Sequence, residues 1–386
     1  MPASARVRSV QAPIMPLVGR WMAESPGTIS LGQGVVAYGP PPAALARIPE
    51  LLARPGAHRY VPDAGLPELR AAFAEKLRRE NGVELAYERR LMVTAGANQG
   101  FLQALLCICD PGDEVILLRP YYFNNEMAVR LAGCRPVLVD TDADYQPVAE
   151  AIAAAVGPRT RAVVTISPNN PTGAVYPRAR LAAVNALCAE RGIYHIHDEA
   201  YEYFLYDGAQ HFSPAALGGD EHTITLYTLS KAFGFASWRV GFVIVPAHLF
   251  DELLKVQDTN AICAPGLSQA VAVELLRIGR AWCAEHLRGI AAVRAEALRL
   301  LAGAGDLLTL PPAPGAFYLL PRVRTRASSL ALCERLIREH RVAVIPGATF
   351  GVEDTCCLRV SYGGITLEEA REGFGRLVEG LRAIAG

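Results

Sequence analysis

The middle of this chain alternates short β-branched apolar runs with helical stretches, and that alternation narrows the folds open to it. LMVT (91–94), EVILL (114–118), PVLV (136–139), AVVTI (162–166), YHIH (194–197), TITLYT (223–228) and VGFVIV (240–245) read as strands. Helical patterns separate most of them, near 98–109, 124–132, 147–156 and 178–191. Near-continuous apolar strands spaced by helices predict a mostly parallel sheet covered on both faces. Pro67 opens another predicted helix: Leu69, Phe73 and Leu77 share one face, and Gly82 lies past the end. Beyond about residue 265 the pattern changes. Two long helices (266–279 and 281–302) precede short strands near 316–320, 342–345 and 356–361 and a closing helix over 366–384. The expected fold is a three-layer α/β/α large domain (46–275) plus a smaller α/β domain (276–386). The proline-rich start (1–45) forms an arm that packs on the smaller domain.

Composition agrees with two domains. The chain has 386 residues, 51% of them hydrophobic, against roughly 150 residues per domain. Lys and Arg number 38, as do Asp and Glu, so the formal net charge is zero. Nothing draws such a chain to nucleic acid or to a membrane surface. No apolar run approaches the ~18 residues of a membrane span, and none in the first thirty residues resembles a secretory leader. The nine cysteines are scattered without a C-x-x-C pair. They read as small buried hydrophobes in a reducing cytoplasm.

Two motifs look functional and are not. Gly32-Gln-Gly34-Val-Val-Ala37 fits the loose dinucleotide pattern, which has meaning only where a helix begins. Here Pro40, Pro41 and Pro42 follow at once. His195-Ile-His197 puts two imidazoles on one face of a strand. A metal site needs further ligands at suitable spacing, and none stands out. No metal is expected.

The informative stretch is Thr228-Leu-Ser230-Lys231-Ala-Phe-Gly-Phe-Ala-Ser-Trp-Arg239. It begins at a strand end and concentrates hydroxyls, an arginine and one of only three lysines in the chain (Lys76, Lys231, Lys255). It resembles the lysine-bearing segment of the class I/II aminotransferases, fold type I enzymes dependent on pyridoxal 5'-phosphate. That resemblance makes Lys231 the amine that condenses with the cofactor, and Arg239 and Thr228 its phosphate ligands, with Ser230 a further hydroxyl. The family's other segments follow in order across essentially the whole chain. Ser167-Pro-Asn-Asn170-Pro-Thr-Gly173 matches its N-P-x-G loop, which implies that Asn170 bonds the cofactor's phenolic oxygen. Asp198-Glu-Ala-Tyr201 implies an aspartate on the pyridine nitrogen and a tyrosine on the same phenolic oxygen. Leu358-Arg359-Val-Ser361 implies that Arg359 clamps the substrate α-carboxylate, with Gly34 against it. Gly96, Ala97 and Asn98 match the turn that offers amides to the phosphate. Pro120-Tyr121-Tyr122 matches the segment whose aromatic stacks on the ring; Tyr122 fits best, with Tyr121 or Phe123 as alternatives. Tyr60-Val-Pro-Asp-Ala-Gly65 matches the segment whose tyrosine reaches the phosphate of the other subunit, which implies a homodimer.

The resemblance implies a ping-pong transaminase exchanging an amino group between an α-amino acid and a 2-oxo acid. Lys231, Asp198 and Tyr201 would be its catalytic residues. A β-eliminating C–S lyase or a cyclising enzyme on the same scaffold is the alternative. A transcriptional regulator built on this fold is disfavoured. Only about thirty proline-rich residues precede the first motif, and the net charge is zero. Some relatives carry a lysine where Asn98 stands, which argues against that route to acidic substrates; the amino donor stays open.

Overall fold

The computed structural model describes residues 2–85, 89–218 and 221–385. A two-residue strand, β1 (Ile29–Ser30), lies near the start. Seven later strands form one sheet: β2 (Arg89–Thr94), β3 (Glu114–Arg119), β4 (Arg135–Asp140), β5 (Thr160–Ile166), β6 (Tyr194–Asp198), β7 (Thr223–Thr228) and β8 (Gly241–Pro246). Their spatial order is β2-β8-β7-β6-β5-β3-β4. Strand β8 runs antiparallel to both neighbours and the other pairs are parallel. Each predicted strand is present within two residues of its expected ends.

The continuous apolar runs have a direct structural cause. Along β3, Val115 and Leu117 enter the core on one face, while Ile116 and Leu118 enter the core on the other. Helices Ala97–Ile108 and Ala149–Ala155 are among those that cover these faces. Burying each such side chain contributes about 1.5–3 kcal/mol. A strand covered on both faces therefore has little room for polar residues.

The C-terminal part carries β9 (Leu308–Thr309), β10 (Tyr318–Leu319), β11 (Arg322–Val323), β12 (Val342–Ala343), β13 (Ile345–Pro346) and β14 (Leu358–Ser361). Strand β14 lies between β10 and β13, antiparallel to both. The start of the chain joins this part, because β1 pairs with β12 in parallel. Helix Ile14–Ala23 also brings Ile14, Val18 and Trp21 against Ile337, Ala343 and Phe350. That helix was not anticipated from the sequence. Neither were Phe250–Ala261 and Ser329–His340, the last capped by Ser328, whose hydroxyl accepts the Ala331 amide at 3.2 Å. The helix from Pro67 runs to Lys76, widens into one π turn over Leu77–Asn81, and ends at Gly82 with φ +65°. Among the described residues no helix is long and apolar enough to cross a membrane.

From β3 the chain moves outward to β4, then returns to β5 on the other side of β3. Open parallel sheets bind ligands beyond the carboxyl ends of the strands at such a reversal. The loops after β2, β3, β5, β6 and β7 all emerge at that end.

Candidate active site

Those loops border a cleft. Ala97, Asn98, Tyr122, Asn170, Asp198, Tyr201, Thr228, Ser230, Lys231 and Arg239 line it, together with Ile166 and Ala200.

Asp198 is the last residue of β6 and is only 7% exposed. Its Oδ1 accepts the Ala200 amide at 2.9 Å, and it makes no ion pair among the described residues. Burial pushes its carboxyl up from 3.8 to about 6. Lys231 follows β7 by three residues. Its Nζ donates to the Gly34 carbonyl at 2.8 Å and sits 5.9 Å from the Tyr201 ring centre. Burial, aided by the Arg359 charge, lowers this amine from 10.5 to about 8. The cleft thus holds a buried carboxylate with no ion-pair partner among the described residues and a lysine that sheds its proton easily.

At one end of the cleft, Gly96 precedes helix Ala97–Ile108 with φ +87°. A side chain at Gly96 would overlap the Arg239 guanidinium, so glycine there lets the arginine lie across the helix start. Arg239 itself holds φ +55°; its Nη2 donates to the Ala95 carbonyl at 3.0 Å and its Nη1 to the Ala236 carbonyl at 3.0 Å. It pairs with no carboxylate among the described residues. Gly241 on β8 is equally constrained, because a Cβ would come within 2.6 Å of the Gly96 carbonyl carbon. The Thr228 and Ser230 hydroxyls lie 2.8 Å apart. The first-turn amides of Ala97 and Asn98, these hydroxyls and Arg239 form a donor-rich concavity that suits a phosphate dianion.

At the other end, Arg359 on β14 is 3% exposed. Its Nη1 donates to Asn170 Oδ1 at 3.0 Å and its Nη2 to the Gly32 carbonyl at 2.7 Å, while Nε is buried without a partner among the described residues. The guanidinium lies between the rings of Tyr318 and Phe350, 4.7 and 5.1 Å from their centres. The Asn170 Nδ2 donates to the Tyr201 hydroxyl at 3.3 Å, and that hydroxyl lies 2.9 Å from the hydroxyl of Tyr318.

Every candidate residue but one is gathered in or beside the cleft. Of the three neighbouring aromatics, Tyr122 lines it; Tyr121 lies against Gly351 and Phe123 against Phe350. The Tyr122 hydroxyl accepts from Asn124 at 2.8 Å. Tyr60 is the exception: it is 78% exposed and outside the cleft of its own chain. Tyr318, Phe350, Ile166 and Ala200 were not anticipated. Ala200 lies inside the Asp198–Tyr201 motif and could have been included. Tyr318 belongs to no quoted motif and reaches the site only through the pairing of β10 with β14.

Neither decoy gains support. No helix begins at Gly32–Ala37. His195 and His197 share the Thr165 hydroxyl at 2.7 and 2.6 Å, and burial lowers His195 to about 3. A separate grouping, Glu199, Glu202 and His211, could hold an ion by geometry. Its carboxylates already serve Lys76, Asn81, Ser213 and Tyr227, so the lysine ammonium supplies the cation there.

The sequence pattern of the family described as aminotransferase class I and II matches residues 26–377. The chain belongs to this family. This aminotransferase is 35% identical to the aromatic aminotransferase ISS1 of Arabidopsis thaliana, over 99% of this chain and 96% of that one. It is 38% identical to the aspartate/prephenate aminotransferase of Thermus thermophilus, over 84% of each. Among solved structures, a single mutant of the Thermus thermophilus aspartate aminotransferase superposes with a TM-score of 0.91 at 33% identity, over 98% of this chain and 100% of that one. The aromatic aminotransferase of Pyrococcus horikoshii superposes with a TM-score of 0.87 at 34% identity, over 95% and 99%. The aminotransferase is a transferase, and its family uses pyridoxal phosphate to act on amino acids and 2-oxo acids.

Proposed function

We propose that the cleft holds pyridoxal 5'-phosphate and that Lys231, Asp198 and Tyr201 carry the chemistry of a ping-pong transamination. One observation carries this reading: an easily deprotonated lysine, a buried carboxylate and an arginine face the same cleft, and among the described residues neither of the last two makes an ion pair. When bound, the cofactor supplies an aldehyde that condenses with amines and a ring that accepts electrons.

The chain's own groups do the rest. Arg239, Thr228, Ser230 and the amides at Gly96, Ala97 and Asn98 hold the phosphate. Tyr122 stacks on the ring. Asp198 would hold a proton on the ring nitrogen, which would give its buried carboxylate an ion-pair partner. Asn170 and Tyr201 donate to the ring oxygen. Arg359, whose Nε has no partner among the described residues, grips the α-carboxylate beside Gly34 and orients the substrate. Lys231 Nζ would take the proton from the amino acid Cα and hold it for transfer within the site; its lowered basicity makes the neutral amine accessible.

The reading includes a homodimer in which Tyr60 of the partner subunit reaches the phosphate; the exposure of Tyr60 supports it. It also includes the division into 1–45, 46–275 and 276–386, supported by the pairing of β1 with β12. A cytoplasmic location fits nine cysteines that are all free thiols.

Incubation with a panel of amino acids, without added 2-oxo acid, tests the reading. One 2-oxo acid should form per site, with loss of the visible absorption band. Lys231→Ala should bind the cofactor and form none. Continuous release of pyruvate and ammonia would instead make the enzyme a lyase.

A further inference from the structure

Tyr318 is 1% exposed, and its hydroxyl has one hydrogen-bond partner among the described residues, the Tyr201 oxygen at 2.9 Å. The rings meet edge to face, 5.4 Å apart at 79°. Burial raises both phenols far enough that each carries its proton at neutral pH. A phenol has a single hydrogen to give. If Tyr201 gave its hydrogen to Tyr318, the Tyr318 hydrogen would be buried without an acceptor, which native structures avoid. The opposite polarity satisfies both groups. Tyr201 then accepts from Tyr318 and from Asn170 Nδ2, and its own hydrogen is free to turn into the cleft.

We infer that Tyr318 is a positioning residue of the aminotransferase: its phenol donates to the Tyr201 oxygen and thereby directs the Tyr201 hydrogen at the cofactor's ring oxygen. This rests on the proposed placement of the cofactor. Accepted hydrogen bonds polarise a hydroxyl and make it a stronger donor. The Tyr318 hydroxyl lies close against Gly34, where a side chain would overlap it. The Tyr318 ring, in turn, lies under Arg359. One side chain thus supports both the group on the cofactor oxygen and the group on the substrate carboxylate. Tyr122, Asp198, Lys231 and Arg359 are the other ionisable groups around the pair.

The test is the midpoint of the pH-dependent change in visible absorption of resting holoenzyme, measured for Tyr201→Phe, Tyr318→Phe and the double variant. Donation to the ring oxygen stabilises its anionic form, so losing donor strength should raise the midpoint. Tyr318→Phe should raise it by about 0.5–1 pH unit, the worth of one ordinary hydrogen bond. Tyr201→Phe should raise it more, and the double variant should match Tyr201→Phe within about 0.3 unit, because Tyr318 acts through Tyr201. The KM for amino acids should stay within about twofold in Tyr318→Phe, since the ring under Arg359 remains. Tyr318→Leu should raise both the midpoint and the KM. An unchanged midpoint in Tyr318→Phe, or additive shifts in the double variant, would overturn the inference. An unchanged midpoint in Tyr201→Phe would instead overturn the placement of the cofactor at Tyr201.

Discussion

Arg359 donates through Nη1 to Asn170 Oδ1 at 3.0 Å, joining a strand of the C-terminal part to the loop after β5. The contact spans 189 positions of sequence. It aligns the group proposed for the substrate carboxylate with the group proposed for the cofactor oxygen, so binding of the two ligands is geometrically linked.

Removal of this guanidinium should therefore affect every substrate alike. Arg359→Ala should lower kcat/KM by about a hundredfold or more for all amino acids, as expected for a buried charged partner. Arg359→Lys should not restore it, because an ammonium lacks the planar fork. Cofactor should remain bound in both. Steady-state kinetics on several donors checks this; an effect confined to one donor would contradict a carboxylate clamp.

Lys231 sets a pH dependence for cofactor capture. Its value near 8, lowered chiefly by burial, leaves about one amine in ten neutral at pH 7, against about one in three thousand for an unperturbed lysine. Only the neutral amine attacks an aldehyde. The rate at which apoprotein regains the visible band should rise close to tenfold per pH unit from pH 6, then level off near pH 8. A rise continuing to pH 10 would show an ordinary lysine.

Asp198 should cost the apoprotein stability. Its carboxyl lies near 6 in the folded chain and near 3.8 when unperturbed. Between these values the folded state binds more protons, so stability falls as pH rises. Above pH 6 the full penalty of burying the charge applies, about 3 kcal/mol; below about pH 4 both states are protonated and it vanishes. Apo Asp198→Asn should be more stable than wild type in urea at pH 7.5, with the gap closing towards pH 4. Added cofactor should reverse the order, since only the carboxylate gains a cation. A gap unchanged with pH would contradict this account.

Gly96→Ala should weaken cofactor binding by at least about tenfold, through the clash with Arg239 and the cost of φ +87° for an alanine. Titration of apoprotein with cofactor measures it. Unaltered affinity would separate Arg239 from the phosphate.

The site was legible in the sequence wherever chemistry is encoded next to a strand end. Asp198 closes β6, Thr228 closes β7 and Asn170 lies just after β5, so short motifs carried them. Tyr318 and Phe350 escaped because they have no local pattern. Tyr318 meets Tyr201 across 117 positions, and only the pairing of β10 with β14 brings it there. Among the elements, β5 was legible as a continuous apolar run and the helix from Pro67 by the single face shared by Leu69, Phe73 and Leu77. Helix Ile14–Ala23 was hidden by prolines, yet Pro16 falls in its first turn, where a missing amide costs little. Helix Ser329–His340 carries its apolar residues, Leu332, Cys333, Leu336 and Ile337, amid charges that masked its stripe.

The most direct measurement is borohydride reduction of purified holoenzyme followed by peptide mapping. One phosphopyridoxyl group should be found per chain, on the side chain of Lys231. A label on Lys76 or Lys255, or no label on any lysine, would contradict the account.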